Sequence, residues 1–306
     1  MIGKVSIAAI MLFSLAIPAF AQRDVQQGVS DFYAANINQG QLAFMWLSDG
    51  RELMAGIPSA GVLVKTSQHS IIIDPSDILT TDAINAIKSL DLILITHEHL
   101  DHFNAESTIE IHEKTGAPVV VSAGVYPSLK GKIANDKLIE MLPNDLNIIN
   151  GITVKAIPAR HPVDRPVMYL ISMDGLAVFH GSDSGFVDEL NKVNSEVHLA
   201  FVPVGGASPT ASPEDAFMMV KALKPYVTVP IHGIFEQMIA LQDLASKETA
   251  VVIPTPNAVD VPSKIVPEFE FGAFAYVTAI MIVVVIIASI ATKVKPDSFL
   301  AKFNAK

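Results

Sequence analysis

The stretch Leu92-Ile93-Leu94-Ile95-Thr96-His97-Glu98-His99-Leu100-Asp101-His102 joins an apolar run directly to a cluster of metal-ligand side chains. Leu92–Thr96 predicts a short strand buried on both faces. His97 and His99 are two apart, so in extended backbone both project to one side. Asp101 and His102 follow where the chain turns toward a helix at Asn104, and can face the same point from another direction. Four imidazole and carboxylate donors in so short a span at a strand's end predict a metal site. Those donor types suit zinc, manganese or iron.

The flanking sequence alternates strand and helix patterns. Val62–Thr66 and Ser70–Asp74 read as paired strands around a polar turn. Apolar spacing at Ile84, Ile87 and Leu90 predicts a helix over Thr81–Leu90 with Thr81 as its N-cap. A second helix runs from Asn104 to Gly116, a favoured C-terminal residue, and Val119–Val121 is a further strand. Downstream, Ile152–Ile157, Val167–Ser172 and Leu176–Phe179 predict strands, the last two joined by an Asp174-Gly175 hairpin turn. Val197–Val204 is a strand ended by Gly205-Gly206. Ser212–Leu223 is a helix whose Ser-Pro-Glu-Asp opening places proline and acids in the first turn. Val227–Ile231 closes the series. The pattern is that of one α/β domain over residues 22–254.

Composition bounds the rest. The 306 residues are 50% hydrophobic and include no cysteine, which excludes disulfides, thiolate metal sites and cysteine nucleophiles. Both ends raise the hydropathy. Residues 1–21 carry Lys4, an apolar run and Ala19-Phe20-Ala21, the pattern of a signal peptide. Residues 271–292 carry no charge, show no polar face beyond Thr and Ser, and are long enough to predict a transmembrane helix. Residues 255–270, rich in proline and polar groups, predict a linker, and the lysine-bearing tail 293–306 predicts a cytoplasmic end with the domain outside. Residues 22–270 hold 16 basic and 30 acidic side chains, a net charge of −14. That charge excludes nucleic acid held by bulk electrostatics and leaves a small molecule as the expected substrate.

The His97-x-His99-x-Asp101-His102 motif after an apolar strand resembles the signature of the metallo-β-lactamase fold superfamily. The resemblance implies an αββα sandwich, here with one C-terminal transmembrane helix, and a two-metal site at its edge. It assigns His97, His99 and His161 to the first metal, Asp101, His102 and His232 to the second, and Asp183 as the bridge, with zinc the expected metal. It also gives Asp101 a catalytic role in orienting the nucleophile. Each position lies at the end of an apolar strand, where a site is held rigidly. The implied activity is hydrolysis of a lactone, ester, amide or phosphoester by metal-activated water.

Pro203-Val204-Gly205-Gly206, Ser212-Pro213-Glu214-Asp215-Ala216 and Pro230-Ile231-His232 are similar to the branch containing ascorbate-6-phosphate lactonase, although Ser59 stands at that branch's usual histidine. Two other readings use the same residues: a membrane-tethered metal- or ligand-binding sensor without turnover, and an iron-dependent redox member of the fold. Of the remaining histidines, His69 reads as a turn residue, His112 as lying on an exposed helix face, His198 as structural and His180 as strand packing.

Overall fold

The computed structural model describes residues 24–48, 59–205 and 211–263. Its elements run, in chain order, α1 (Val25–Ala34), β1 (Ala43–Trp46), β2 (Val62–Lys65), β3 (Ser70–Ile73), α2 (Thr81–Ala86), β4 (Leu92–Ile95), α3 (Ala105–Thr115), β5 (Val119–Ser122) and α4 (Tyr126–Leu129). There follow β6 (Leu138–Met141), β7 (Leu146–Ile149), β8 (Ile152–Pro158), β9 (Val167–Met173), β10 (Leu176–His180), a 3₁₀ turn (Asp188–Lys192), β11 (Leu199–Pro203), α5 (Pro213–Leu223), β12 (Val227–Ile231), α6 (Phe235–Ala245), β13 (Ala250–Val251) and β14 (Val259–Asp260).

The strands form two seven-stranded sheets, ordered β14-β1-β2-β3-β4-β5-β6 and β13-β12-β11-β10-β9-β8-β7. Strand alternation sorts the side chains into two cores. Phe44, Trp46, Val62, Val64, Leu92 and Leu94 face the second sheet, and the Phe44 and Phe201 rings meet edge to face across the gap. Their neighbours Met45, Leu63, Ile93 and Ile95 turn the other way, onto α1, α2 and α3. On the outside of the second sheet, α5 buries Ala216, Met219, Val220 and Leu223, one helical stripe. The result is the expected αββα layering.

Local chemistry explains most boundaries. Asp174 and Gly175 both adopt positive φ (52° and 78°), so the β9–β10 hairpin closes through a two-residue turn that matches the sheet twist. Asn104 caps α3 through the Ser107 amide, and Gly116 ends it at φ 69°. Ser212 caps α5 through the Asp215 amide, with Pro213 in the first turn.

Three expectations are corrected. The helix predicted over Thr81–Leu90 stops at Ala86, and its cap is Thr80, whose hydroxyl accepts from the Ala83 amide. Ile87 turns to extended backbone, yet Ile87 and Leu90 stay buried, so the apolar spacing marked burial rather than helix length. His112 is half-buried and bonds the Ala117 carbonyl at 2.7 Å, closing the end of α3. The segment expected as a linker from residue 255 instead enters the first sheet. Val259 and Asp260 pair with Met45 and Phe44, and Asn257 brackets Ser48, accepting from its amide and donating to its carbonyl. A side chain on Gly28 of α1 would stand 2.5 Å from the Asn257 carbonyl, so only glycine lets the helix pack over this segment. The signal peptide expected over 1–21 and the transmembrane helix over 271–292 lie outside the described residues; among those described, no helix is long and apolar enough to cross a membrane.

Candidate metal centre

All seven predicted donors come together where strands of both sheets end. His97 follows β4, His161 follows β8, Asp183 follows β10 and His232 follows β12; Asp101 and His102 lie on the turn between β4 and α3. They fall into two groups, His97, His99, His161 and Asp183, and Asp101, His102, Asp183 and His232, each with donor atoms within 4.8 Å of one another.

Asp183 belongs to both groups through different oxygens. Its Oδ1 lies 2.8 Å from His102 Nε2 and 3.0 Å from His232 Nε2. Its Oδ2 lies 3.9 Å from His97 Nε2 and 3.8 Å from His161 Nε2. His161 Nε2 is 3.1 Å from His99 Nδ1, and Asp101 Oδ2 is 3.2 Å from His232 Nε2.

The chemistry of these atoms fits divalent ions. His97 Nε2 is buried and has no hydrogen-bond partner, while the buried His102 Nε2 and Asp183 Oδ1 meet each other and the His232 ring. Orphaned buried donors and acceptors are costly unless something else satisfies them. With the neighbouring imidazoles and a second carboxylate, these atoms make two groups that could each hold a cation.

A surrounding layer sets the ring orientations. His102 Nδ1 is 2.8 Å from Asp74 Oδ2, and the same carboxylate accepts from the Thr96 amide and hydroxyl. His232 Nδ1 donates to the Gly205 carbonyl at 2.6 Å. His97 Nδ1 sits 3.1 Å from Thr96 Oγ1 and 3.3 Å from Ser182 Oγ. These contacts turn the Nε2 atoms inward, the usual arrangement for ligating histidines. Asp74 appeared only as the end of a strand, and its one available signal is an acid closing the strand beside β4.

Three residues around the centre carry backbone strain. Asp74 (φ 48°), Ser182 (φ 52°) and His232 (φ 50°) all occupy the left-handed region, at a cost of about 1–2 kcal/mol each. The His232 amide donates to the Ser59 carbonyl at 3.1 Å, which also accepts from Trp46 Nε1 at 3.0 Å. Ser59 thus holds the His232 turn through its backbone. Its own hydroxyl donates to the Leu47 carbonyl.

The electrostatics are polarised. Burial drives His97 well below its ordinary value, so the ring is neutral. Burial also opposes charge on His102 and His232, but Asp183 outweighs it, with Asp74 helping at His102 and Asp101 at His232. His102 is held well above its ordinary value and His232 rises to about 9. Burial likewise opposes charge on Asp183, yet His102 and His232 hold it well below the usual carboxylate range. Without an ion, protons on these two rings supply the positive charge that the carboxylates require.

The other histidines are structural. His180 bonds the Ala60 carbonyl through Nε2 and accepts from the Ser182 amide, fixing the end of β10 as strand packing predicted. His198 accepts from the Ala177 amide, and His69 faces Asp174 at 3.1 Å within its turn.

This fold and paired donor set are those of a metallo-β-lactamase-fold hydrolase. Residues 57–232 match the family model described as the β-lactamase superfamily domain, more than half the chain, and the protein belongs to that family. Within it, the chain belongs to the UPF0173 metal-dependent hydrolases. It is 33% identical over 171 residues to a UPF0173 protein of Pyrococcus abyssi, covering 56% of this chain and 78% of that one. It is 29% identical over 187 residues to a UPF0173 metal-dependent hydrolase of Thermococcus kodakarensis, covering 56% and 80%. Among solved structures, the metallo hydrolase Igni18 of Ignicoccus hospitalis superposes with a TM-score of 0.59 at 22% identity, over 73% of this chain and 99% of that one. CmlA, a diiron β-hydroxylase of Streptomyces venezuelae, superposes with a TM-score of 0.55 at 14% identity, over 74% and 55%. The two structural likenesses show the shared fold.

Proposed function

We propose that the protein hydrolyses a small-molecule lactone, ester, amide or phosphoester at a two-metal centre. The observation that carries this reading is Asp183, whose two oxygens face two separate groups of imidazoles. His97, His99 and His161 would hold one ion, Asp101, His102 and His232 the other, and Asp183 would bridge them. Two bound divalent ions, zinc by preference, supply Lewis acidity and lower the pKa of water toward neutrality.

The remaining work falls to the chain. Asp101, less buried than Asp183 and hydrogen-bonded to His232, is placed to orient the attacking water and to accept its proton. Asp74, Thr96, Ser182 and the Gly205 carbonyl keep the rings in register, so little reorganisation is needed when substrate binds. The likeness of residues 203–206 and 212–216 to the lactonase branch supports a lactone or ester. The apolar segments 1–21 and 271–292 support placement of the domain outside the cytoplasm on a membrane anchor.

The test is elemental analysis of protein purified without chelator, followed by a panel of chromogenic lactones, esters, phosphodiesters and a β-lactam. About two ions per chain with turnover of one class supports the reading. Folded protein without metal overturns it, and stoichiometric metal without hydrolysis shifts the reading to a ligand-binding sensor.

A further inference from the structure

Three large apolar side chains stand in solvent on the two segments that carry the second donor group. Leu100, between His99 and Asp101, is 81% exposed. Ile234 and Phe235, directly after His232 and Gly233, are 49% and 55% exposed. The two segments are tied at the site itself, where His232 Nε2 meets Asp101 Oδ2 at 3.2 Å. His102 and His232 are buried and oriented by other groups, the Asp74 carboxylate and the Gly205 carbonyl. The Ile234 end is held by the Gln237 side chain, which accepts from the Ile234 amide at 3.0 Å, so the segment is fixed at the start of α6.

Charge on these segments narrows what they could receive. Neither His97–His102 nor His232–Gln237 contains lysine or arginine, and Glu236 adds negative charge. A phosphate or carboxylate on this side of the centre would meet no cation from them. Exposed apolar side chains on segments that carry the donors of a candidate metal centre suit contact with an uncharged apolar group.

We infer that Leu100, Ile234 and Phe235 form the wall that receives an apolar acyl or alkyl group of the substrate, so that the natural substrate is a hydrophobic ester or lactone. The inference rests on the two-metal reading and narrows it: an uncharged acyl compound is favoured over a phosphoester.

Straight-chain hydroxamates from two to eight carbons test it. The hydroxamate head anchors at the metal ions and the tail samples the neighbouring wall. Affinities are measured by calorimetry on the full-length, metal-loaded protein. The octano- to acetohydroxamate affinity ratio is expected to be about tenfold or more, given the free energy of burying methylenes. In Leu100→Ser/Phe235→Ser it is expected to fall below about threefold, with metal content and circular dichroism retained because both positions are exposed. Leu100→Ser alone provides the comparison should the double variant fold poorly.

A ratio near one in the wild type, or one unmoved by the substitutions, overturns the inference while leaving the metal centre standing. Failure of acetohydroxamate itself to bind, with no metal in the protein, overturns the two-metal reading and this inference together. An unchanged ratio accompanied by a shift from dimer to monomer in sedimentation assigns the surface to a second copy of the chain and also overturns it.

Discussion

Asp74 Oδ2 and His102 Nδ1 lie 2.8 Å apart with both side chains fully buried, and the other carboxylate oxygen of Asp74 receives the Thr96 amide. One carboxylate therefore orients a proposed ligand of the second ion and the residue preceding a proposed ligand of the first. Asp74→Asn keeps the shape but weakens the hold on His102. It is expected to lower metal affinity by roughly 10- to 100-fold, measured by chelator competition, with a smaller effect on the fold. Unchanged affinity would show that Asp74 only packs.

Asp183 is expected to be less replaceable. Asp183→Ala removes one donor from each group, so both ions should be lost and turnover abolished, with elemental analysis as the check. His97→Ala and His99→Ala remove donors from the first group alone. They should also abolish turnover while lowering metal content less. Full activity in any of the three would refute the site assignment.

Proton competition sets the pH dependence. His232 is raised to about 9 and His102 lies well above its ordinary value, so in metal-free protein both gain stability by holding protons. That contribution is fully present below about pH 6.5 and is lost as pH rises through about 9. Asp183 has the opposite sign: its depressed value stabilises above the ordinary carboxylate range and is lost as pH falls. Metal-free protein should therefore lose thermal stability from about pH 6.5 to 9.5. Metal affinity should rise across the same interval, with proton release on binding visible as a buffer-dependent calorimetric heat.

Ser59→Ala tests a serine where the lactonase-like branch carries histidine. Its hydroxyl donates to the Leu47 carbonyl and accepts from the Gly61 amide, while its own carbonyl holds the His232 amide and Trp46 Nε1. Only the two hydroxyl contacts are lost on substitution, so destabilisation of about 1–2 kcal/mol is expected with metal content intact. Loss of metal would mean that the hydroxyl does more than fix the turn.

Much of this architecture was legible because its signals are local. An apolar pentapeptide ending in spaced histidines defines a strand and the donors at its tip. Asp174-Gly175 and Asn104…Gly116 state their turn and caps outright. The donors distant in sequence, His161, Asp183 and His232, were placed by resemblance, and the fold brings all of them to one point. What escaped depends on long-range pairing. Val259–Asp260 is a strand only because β1 offers it an edge, and nothing in a short polar, proline-rich segment announces that. α6, with Met238, Leu241 and Ala245 inward, has a weaker apolar stripe than α5 and went unread. Asp74 was visible as an acid, but its tie to His102 exists only once β3 and β4 lie side by side.

The closure of the first sheet by β14 has a consequence for synthesis. Asn257 and Ser48, bonded to each other, are 209 residues apart in the chain. During translation β1 can pair with β2 early, yet its outer edge stays open until residues 257–260 have left the ribosome. The nascent domain thus carries a vacant strand position through most of its manufacture, a place where a chaperone or a second nascent chain can bind. The single tryptophan, Trp46, sits on that strand, and its fluorescence can time the final step of assembly.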